Sequence, residues 1–463
     1  PDVDVNPVES HVCVWNKGEN VKCGLVVANR ENRDVSVDLS LTLRRDNYEP
    51  MPSQSRTVTI AAGETVTESF SVDELAPGFY HAVLTANHRE VADYNFGYDV
   101  EGIESAPDRQ PDFDDFWAQA LDELAGVDME ASLTLIEEKS TRARNVYLVE
   151  MKSISDDGTD PVVIRGYYAE PVAEGKYPAI ITYQGYDSDP SAEPWCPGGD
   201  DLPGYVELFV STRGQMLNNR EPNRNIYGDW FVYELGNRDS YYYRGAYMDA
   251  VRAIDFVASR AKTDKDNIFA QGQSQGGALT IAAAALSNGR LKAIAPSIPF
   301  MGDFPDYFKI GNWPSYNARL KQAELSLSDD DLYKSLSYFD TKNLAPAIEC
   351  PVRMVFGLQD NVCPPHTNMA PYNNLASQTK ELSYNSRLAH QTHSGWYGEY
   401  MKFFGSFLSS AGINTLTEST PAKTLVYNIE GVLVAEDDIA AGKLTSGIYI
   451  IKRGIHTEKV LVR

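Results

Sequence analysis

The sequence predicts an α/β protein: a mostly parallel sheet covered by helices, preceded by a small β-sandwich and followed by a short β-domain. Three observations carry that expectation. Short alternating apolar runs fill the chain up to about residue 99, apolar runs then alternate with helical-period stretches from about residue 107, and β-like runs return after about residue 419. At 463 residues the chain exceeds one ordinary domain of roughly 100 to 200 residues, and the changes of period divide it into residues 1–103, 104–412 and 419–463.

In the first segment, residues 21–28, 35–43, 57–60, 65–72 and 79–86 read as strands separated by turn residues. Val35, Val37, Leu39, Leu41 and Leu43 share one strand face, while Ser36, Asp38, Ser40 and Thr42 take the other. A sandwich of the immunoglobulin or fibronectin type follows. Such a module can bind sugar, but a spacer or packing partner is its commoner role.

In the middle segment, Phe113, Phe116, Trp117, Ala120, Leu121 and Leu124 recur at helical spacing, which predicts an amphipathic helix over 112–124. Apolar runs at 146–151, 162–168, 179–183, 205–210, 268–271, 293–297 and 352–356 then read as strands, with helical stretches at 242–259 and 276–286 between them.

A net charge of -24 repels nucleic acid and anionic membranes, and favours neutral or cationic substrates. No run approaches the roughly 20 apolar residues of a membrane-spanning helix, and the first residues, Pro1 to Pro7, are polar, so a soluble chain whose signal peptide has been removed is expected. The cysteines at 13, 23, 196, 350 and 363 form no CxxC pair, which weighs against a zinc site. Cys13 and Cys23 are read either as a hairpin disulfide or as two buried thiols.

The chemistry is concentrated where Ile268-Phe269-Ala270-Gln271 leads into Gly272-Gln273-Ser274-Gln275-Gly276-Gly277, followed by the small apolar run from Ala278 to Leu286. This is Gly-x-Ser-x-Gly between a strand and a helix, the context in which a sharp turn presents a nucleophilic serine; it predicts an α/β-hydrolase. A Gly-rich loop is the plain alternative, and the flanking strand and helix argue against it. A serine hydroxyl needs a general base, and the base needs an orienting group. In this fold the order is serine, acid, histidine. Asp360 follows the strand 352–356, where the acid belongs, although a turn aspartate after Gly357 is an ordinary occurrence. Of the histidines beyond Ser274, His456 lies in the tail and His366 is only six residues past the acid, which leaves His390 and His393.

Around these residues stand Pro111-Asp112-Phe113-Asp114-Asp115-Phe116-Trp117, Arg213-Gly214-Gln215, Tyr241-Tyr242-Tyr243-Arg244-Gly245 and, after Asp360, Cys363-Pro364-Pro365. The set, in this order over residues 107–410, resembles the acetyl xylan esterase and cephalosporin C deacetylase family, carbohydrate esterase family seven. The resemblance implies a serine esterase that removes acetyl groups from xylo-oligosaccharides and small acetyl esters, with a short acyl pocket, no metal and no organic cofactor. It implies Ser274 as nucleophile, Asp360 as acid and, counting back from Phe403-Phe404, His390 rather than His393 as base. It also implies backbone N–H groups of Tyr186 and Gln275 as oxyanion donors. Arg213 and Gln215 would brace the active-site loops, Arg213 through a buried salt bridge. The family's usual hexamer implies a homo-oligomer, which the added sandwich would alter. Met216 and Gln391 depart from the family's usual glycine and glutamate, and so put the loop shape and the pocket entrance in question.

Two other readings compete. An α/β-hydrolase peptidase also joins an extra β-domain to this nucleophile, but Arg213-Gly214-Gln215 and Cys363-Pro364-Pro365 favour the esterase. A non-enzymatic cell-surface carbohydrate-binding protein would lack a catalytic residue, and none is missing.

The last segment has β-like runs at 425–428, 432–434, 447–452 and 459–462. Val426-Tyr427-Asn428 with Gly431, then Ser446 to Ile451, and the closing Lys459-Val460-Leu461-Val462-Arg463 resemble a C-terminal sorting domain of the type IX (Por) secretion system. That resemblance implies export through the periplasm to the cell surface or medium.

Overall fold

The computed structural model describes residues 3–7, 13–186, 195–199, 202, 204–219 and 226–408, and the backbone of 424–428, 447–453 and 456–462. Residues Pro1–Phe407 form one compact unit and Leu408–Arg463 a second.

The first strands are β1 (Val3–Pro7), β2 (Val14–Trp15), β3 (Val21–Asn29), β4 (Val35–Arg45), β5 (Gln54–Ile60), β6 (Thr65–Val72), β7 (Gly78–Ala86) and β8 (Arg89–Tyr98). They make two sheets, β1-β3-β6 and β2-β8-β7-β4-β5. In β4 the alternation is realised as burial, with Val37, Leu39, Leu41 and Leu43 inward, packed with Val21, Cys23, Leu25 and Val27 of β3. The sequence reading did not identify β8, whose Glu90, Asp93 and half-exposed neighbours blur the period. Cys13 and Cys23 are thiols, not a disulfide.

The hydrolase segment runs α1 (Phe113–Gly126), β9 (Ser132–Leu135), β10 (Arg144–Lys152), β11 (Val163–Pro171), β12 (Tyr177–Tyr183), β13 (Val206–Val210), α2 (Tyr242–Ser259), β14 (Thr263–Gln273), α3 (Gln275–Leu286) and β15 (Ala293–Ser297). It continues with α4 (Phe304–Ile310), α5 (Ser315–Leu325), α6 (Asp329–Leu336), α7 (Thr341–Leu344), β16 (Val352–Gly357), α8 (Pro365–Asn374), β17 (Lys380–Asn385) and α9 (Trp396–Gly405). One nine-stranded sheet has the order β17-β16-β15-β14-β12-β13-β11-β10-β9. Pairs from β17 through β13 are parallel, whereas β13-β11, β11-β10 and β10-β9 are antiparallel. This is the α/β-hydrolase fold. Its inner parallel strands are buried on both faces by helices, and so read as apolar runs such as Ala179, Ile180 and Ile181; Val206–Val210 is buried at every residue, its one charged member, Glu207, pairing with the buried Arg144 at 2.5 Å. Helix α1 turns Phe113, Phe116, Trp117, Ala120 and Leu124 inward, whereas α3 is buried nearly all round. Because β12, β14 and β16 run parallel, their carboxyl ends, and the loops that leave them, lie along one rim.

The sandwich docks beside that rim. Val14 and Phe79 join the hydrolase core, and the Phe79 ring meets Phe356 of β16 edge-on, with centroids 6.1 Å apart. Polar ties reinforce the seam: Tyr48 Oη donates to the Ile310 carbonyl at 3.3 Å, and Asn373 Nδ2 donates to the Ile103 carbonyl at 3.0 Å.

In the tail, β18 (Thr424–Asn428), β19 (Gly447–Arg453) and β20 (His456–Val462) form an antiparallel sheet in that order. The run expected at 432–434 lies outside the described residues. No helix among the described residues is long and apolar enough to cross a membrane.

Candidate active site

Ser274 sits between β14 and α3 with φ 59° and ψ -117°, a left-handed conformation that a non-glycine residue holds only under constraint. Its N–H donates to the Ser297 carbonyl at 3.0 Å, and its carbonyl accepts from the N–H of Phe300 at 3.0 Å. The flanking glycines are steric necessities. A Cβ on Gly272 would lie 2.3 Å from the Gly276 carbonyl oxygen, and one on Gly276 would lie 2.2 Å from that of Tyr183.

His390 Nε2 lies 2.9 Å from Ser274 Oγ, and its Nδ1 lies 2.8 Å from Asp360 Oδ2. Asp360 is buried, and its other oxygen accepts from the N–H groups of Val362 at 2.8 Å and Cys363 at 2.9 Å. That leaves Oδ2 to fix the imidazole with its proton on Nδ1, so that Nε2 can take the serine proton. His393 stands apart: its Nδ1 accepts from the Gly395 N–H at 3.2 Å, and its Nε2 lies 3.4 Å from Glu399.

Gln275 is the first residue of α3, so its N–H is among the four that an α-helix leaves without an intrahelical acceptor. The loop carrying Tyr186 leaves β12 against this helix start. Tyr186 is held by a 2.8 Å hydrogen bond from its hydroxyl to Asp229 and by edge contacts with Trp230 and Trp313, each at 5.0 Å. Three buried glutamine side chains join the two segments. Gln184 Nε2 donates to Gln215 Oε1 at 3.1 Å, and Gln215 and Gln275 exchange bonds of 2.9 and 3.1 Å. Tyr243 donates to Gln275 Oε1 at 3.0 Å.

Arg213 is fully buried. Its Nε and Nη2 bond the two oxygens of Asp249 at 3.0 and 2.5 Å, and Nη1 bonds Asp156 at 2.5 Å. Burial works against its charge, but the Asp249 and Asp156 carboxylates outweigh that and hold its pKa well above the ordinary value.

The sequence reading did not assign Gln184, Asp249, Asp156 or Cys363. Cys363 lies within a quoted motif, whereas Asp249 stands four residues past the tyrosine motif and nothing local pairs it with Arg213. The Cys363 side chain meets that of Ser274, and burial, with the Asp360 charge adding to it, pushes the thiol pKa well up. The thiol there stays neutral and packs against the Ser274 side chain.

Among the described residues, one cluster has metal-ligand chemistry: atoms of Asp303, Asp306 and His366 lie within 4.8 Å of one another. Those atoms are already engaged. Lys342 bonds Asp303 at 3.0 Å, Ser105 bonds it at 2.5 Å, and His366 lies 2.8 Å from Asp46 and 3.4 Å from Asp306. The cluster is an ion-pair network that ties the sandwich to α4 and α8.

The family model for acetyl xylan esterase (AXE1) matches residues 99–406. Acetyl esterase Axe7A of Xylanibacter ruminicola is 29% identical over 342 residues, which cover 72% of this chain and 75% of that protein. Among solved structures, the acetyl xylan esterase from Paenibacillus sp. R4 superposes with TM-score 0.59 at 28% identity, covering 66% of this chain and 98% of its own. Acetyl xylan esterase 1 from Thermoanaerobacterium sp. JW/SL YS485 gives 0.57 at 27%, covering 66% and 96%. With most of its length matched by that family model, this chain belongs to the acetyl xylan esterase (AXE1) family and is an enzyme, a carboxylic ester hydrolase.

Proposed function

We propose that the enzyme removes acetyl groups from acetylated xylan or xylo-oligosaccharides, and from similar small acetyl esters, through an acetyl-enzyme on Ser274. The observation that carries this reading is the pair of hydrogen bonds through His390, 2.9 Å to Ser274 and 2.8 Å to Asp360, in a chain of this family. His390 takes the serine proton as Oγ attacks the acetyl carbonyl, then returns it to the departing sugar oxygen; in the second half it deprotonates water, which releases acetate. Asp360 orients the imidazole and stabilises its charged form. The N–H groups of Gln275 and Tyr186 receive the growing oxyanion, where loss of one donor costs on the order of 3 kcal/mol. The glutamine cluster and Arg213 hold these loops in place.

Acetate release from a panel of acetylated glycans, with nitrophenyl acetate and a peptide substrate as controls, tests this function. Release from the glycans and none from the peptide is expected, with acetyl esters strongly preferred over butyryl and longer ones. Equal catalytic efficiency on acetate and octanoate esters would remove the substrate assignment.

The tail's resemblance to a type IX sorting domain supports export to the cell surface or medium, with the tail dispensable for catalysis. Truncation after Ser410 tests it: a folded but inactive truncate would make the tail part of the catalytic unit. A homo-oligomer is in keeping with the family resemblance, and light scattering of the full chain measures it.

A further inference from the structure

Beside the acid loop, a cavity of about 340 Å³ opens between the sandwich and the hydrolase. The turn after β4 supplies Arg44, Arg45, Asp46 and Tyr48, and the hydrolase supplies Asn312 and the loop through Asp360 and Asn361. The volume lies at the lower end of the range for small-ligand pockets, roughly 300 Å³ upward. Two connections lead from it to the proposed chemistry. Asp360 is one imidazole and two hydrogen bonds from Ser274, and Asn312 precedes Trp313, whose ring packs on Tyr186.

Charge decides what such a cavity would hold. Asp360 is engaged with His390 and two backbone N–H groups, and Asp46 is paired with His366 at 2.8 Å. Arg45 has Glu49 at 3.9 Å. Arg44, half-buried, has no carboxylate partner among the described residues; its guanidinium lies over the Tyr48 ring, 4.6 Å from the centroid. In a chain with 65 acidic and 41 basic residues, a cation left over in a cavity is a charge available to a ligand. The net charge of -24 repels anions at long range, but salt screens that field within about 8 Å at physiological ionic strength, so at contact distance the guanidinium prevails. Its planar fork fits a carboxylate, and the half-exposed Tyr48 ring offers a sugar an apolar face.

We propose that this cavity is a subsite for a uronic acid, a carboxylate-bearing sugar on the acetylated glycan, recognised through Arg44. The inference rests on the glycan esterase reading but is tested without any acetyl group. The full chain carrying Ser274→Ala is titrated calorimetrically with an unacetylated xylo-oligosaccharide bearing one uronic acid, and with the same oligosaccharide after reduction of its carboxyl group. The acidic ligand should bind at least about tenfold more tightly at physiological ionic strength, a gap of about 1.4 kcal/mol. The gap should close in 1 M salt and vanish when Arg44→Gln, with unchanged melting temperature, is added, while Arg44→Lys restores part of it. Equal affinity for the two ligands, or a gap that survives Arg44→Gln, overturns the proposal; failure of acetate release would instead overturn the esterase reading.

Discussion

Asn95 of the sandwich and Gln359, the residue before Asp360, grip each other through two hydrogen bonds. The Asn95 N–H donates to Gln359 Oε1 at 2.8 Å, and Gln359 Nε2 donates to the Asn95 carbonyl at 3.1 Å and to that of Ser386 at 2.7 Å. Asn95 Nδ2 also reaches the Leu358 carbonyl at 3.0 Å. One amide side chain thus ties the added module to the acid loop and to the segment leading to His390. Gln359 is a positioning residue in this reading. Gln359→Ala should lower kcat on nitrophenyl acetate by about ten- to a hundredfold with little change in KM, because a shift of about 1 Å in a catalytic group costs around a hundredfold. Gln359→Glu keeps the acceptor but loses the donors, and should be as damaging. A KM effect alone would show that the tie does not reach the triad.

The two neighbouring histidines should behave oppositely. Ser274→Ala and His390→Ala are each expected to lose about 10⁴-fold or more in kcat, leaving only oxyanion and binding contributions. His393→Ala, which loses a loop hydrogen bond and a 3.4 Å contact with Glu399, should stay within about threefold. The reverse pattern in folded variants would redraw the triad around His393.

Arg213→Met should destabilise more than it inactivates. Removing one partner of a buried ion pair costs about 3 to 5 kcal/mol, because Asp249 would be left 1% exposed with an uncompensated charge. Denaturant unfolding measures it. The double variant Arg213→Met with Asp249→Leu should recover much of the loss, and a loss below 1 kcal/mol in the single variant would show that the pair carries no such weight.

The seam between sandwich and hydrolase should depend on pH. Burial disfavours the charged His366, but the hydrogen bonds that its ring donates to the Asp306 and Asp46 carboxylates outweigh it and raise its pKa from 6.5 to about 10. A raised folded pKa means that this stabilisation is complete below about pH 6.5 and disappears as pH climbs toward 10. Asp306 is held low chiefly by the hydrogen bond it accepts from His366, so its share is lost only under strong acid. Melting temperature should therefore fall between pH 6.5 and 10, and more gently in His366→Gln. Parallel curves for the two proteins would rule out this ion pair as the cause.

The sequence alone determined the elements with strong periods: α1, β4, the buried parallel strands, and the strand-turn-helix around Ser274. It did so because burial and steric demands at those places are local, as when Gly272 makes room for the carbonyl of Gly276, two residues past the serine. It also narrowed the base to two histidines three residues apart, but their own neighbourhoods could not separate them, and the preference for His390 came from family resemblance. Only the tertiary structure decided which imidazole reaches both Ser274 and Asp360, since those partners lie 116 and 30 positions from it in the chain. The same holds for Asp249 beneath Arg213, for the three-glutamine cluster, and for the sandwich's grip on Gln359. Each is a pairing of polar groups across long sequence separations, and such pairs leave no period to read; what makes them is the sheet order, which brings distant loops to one rim.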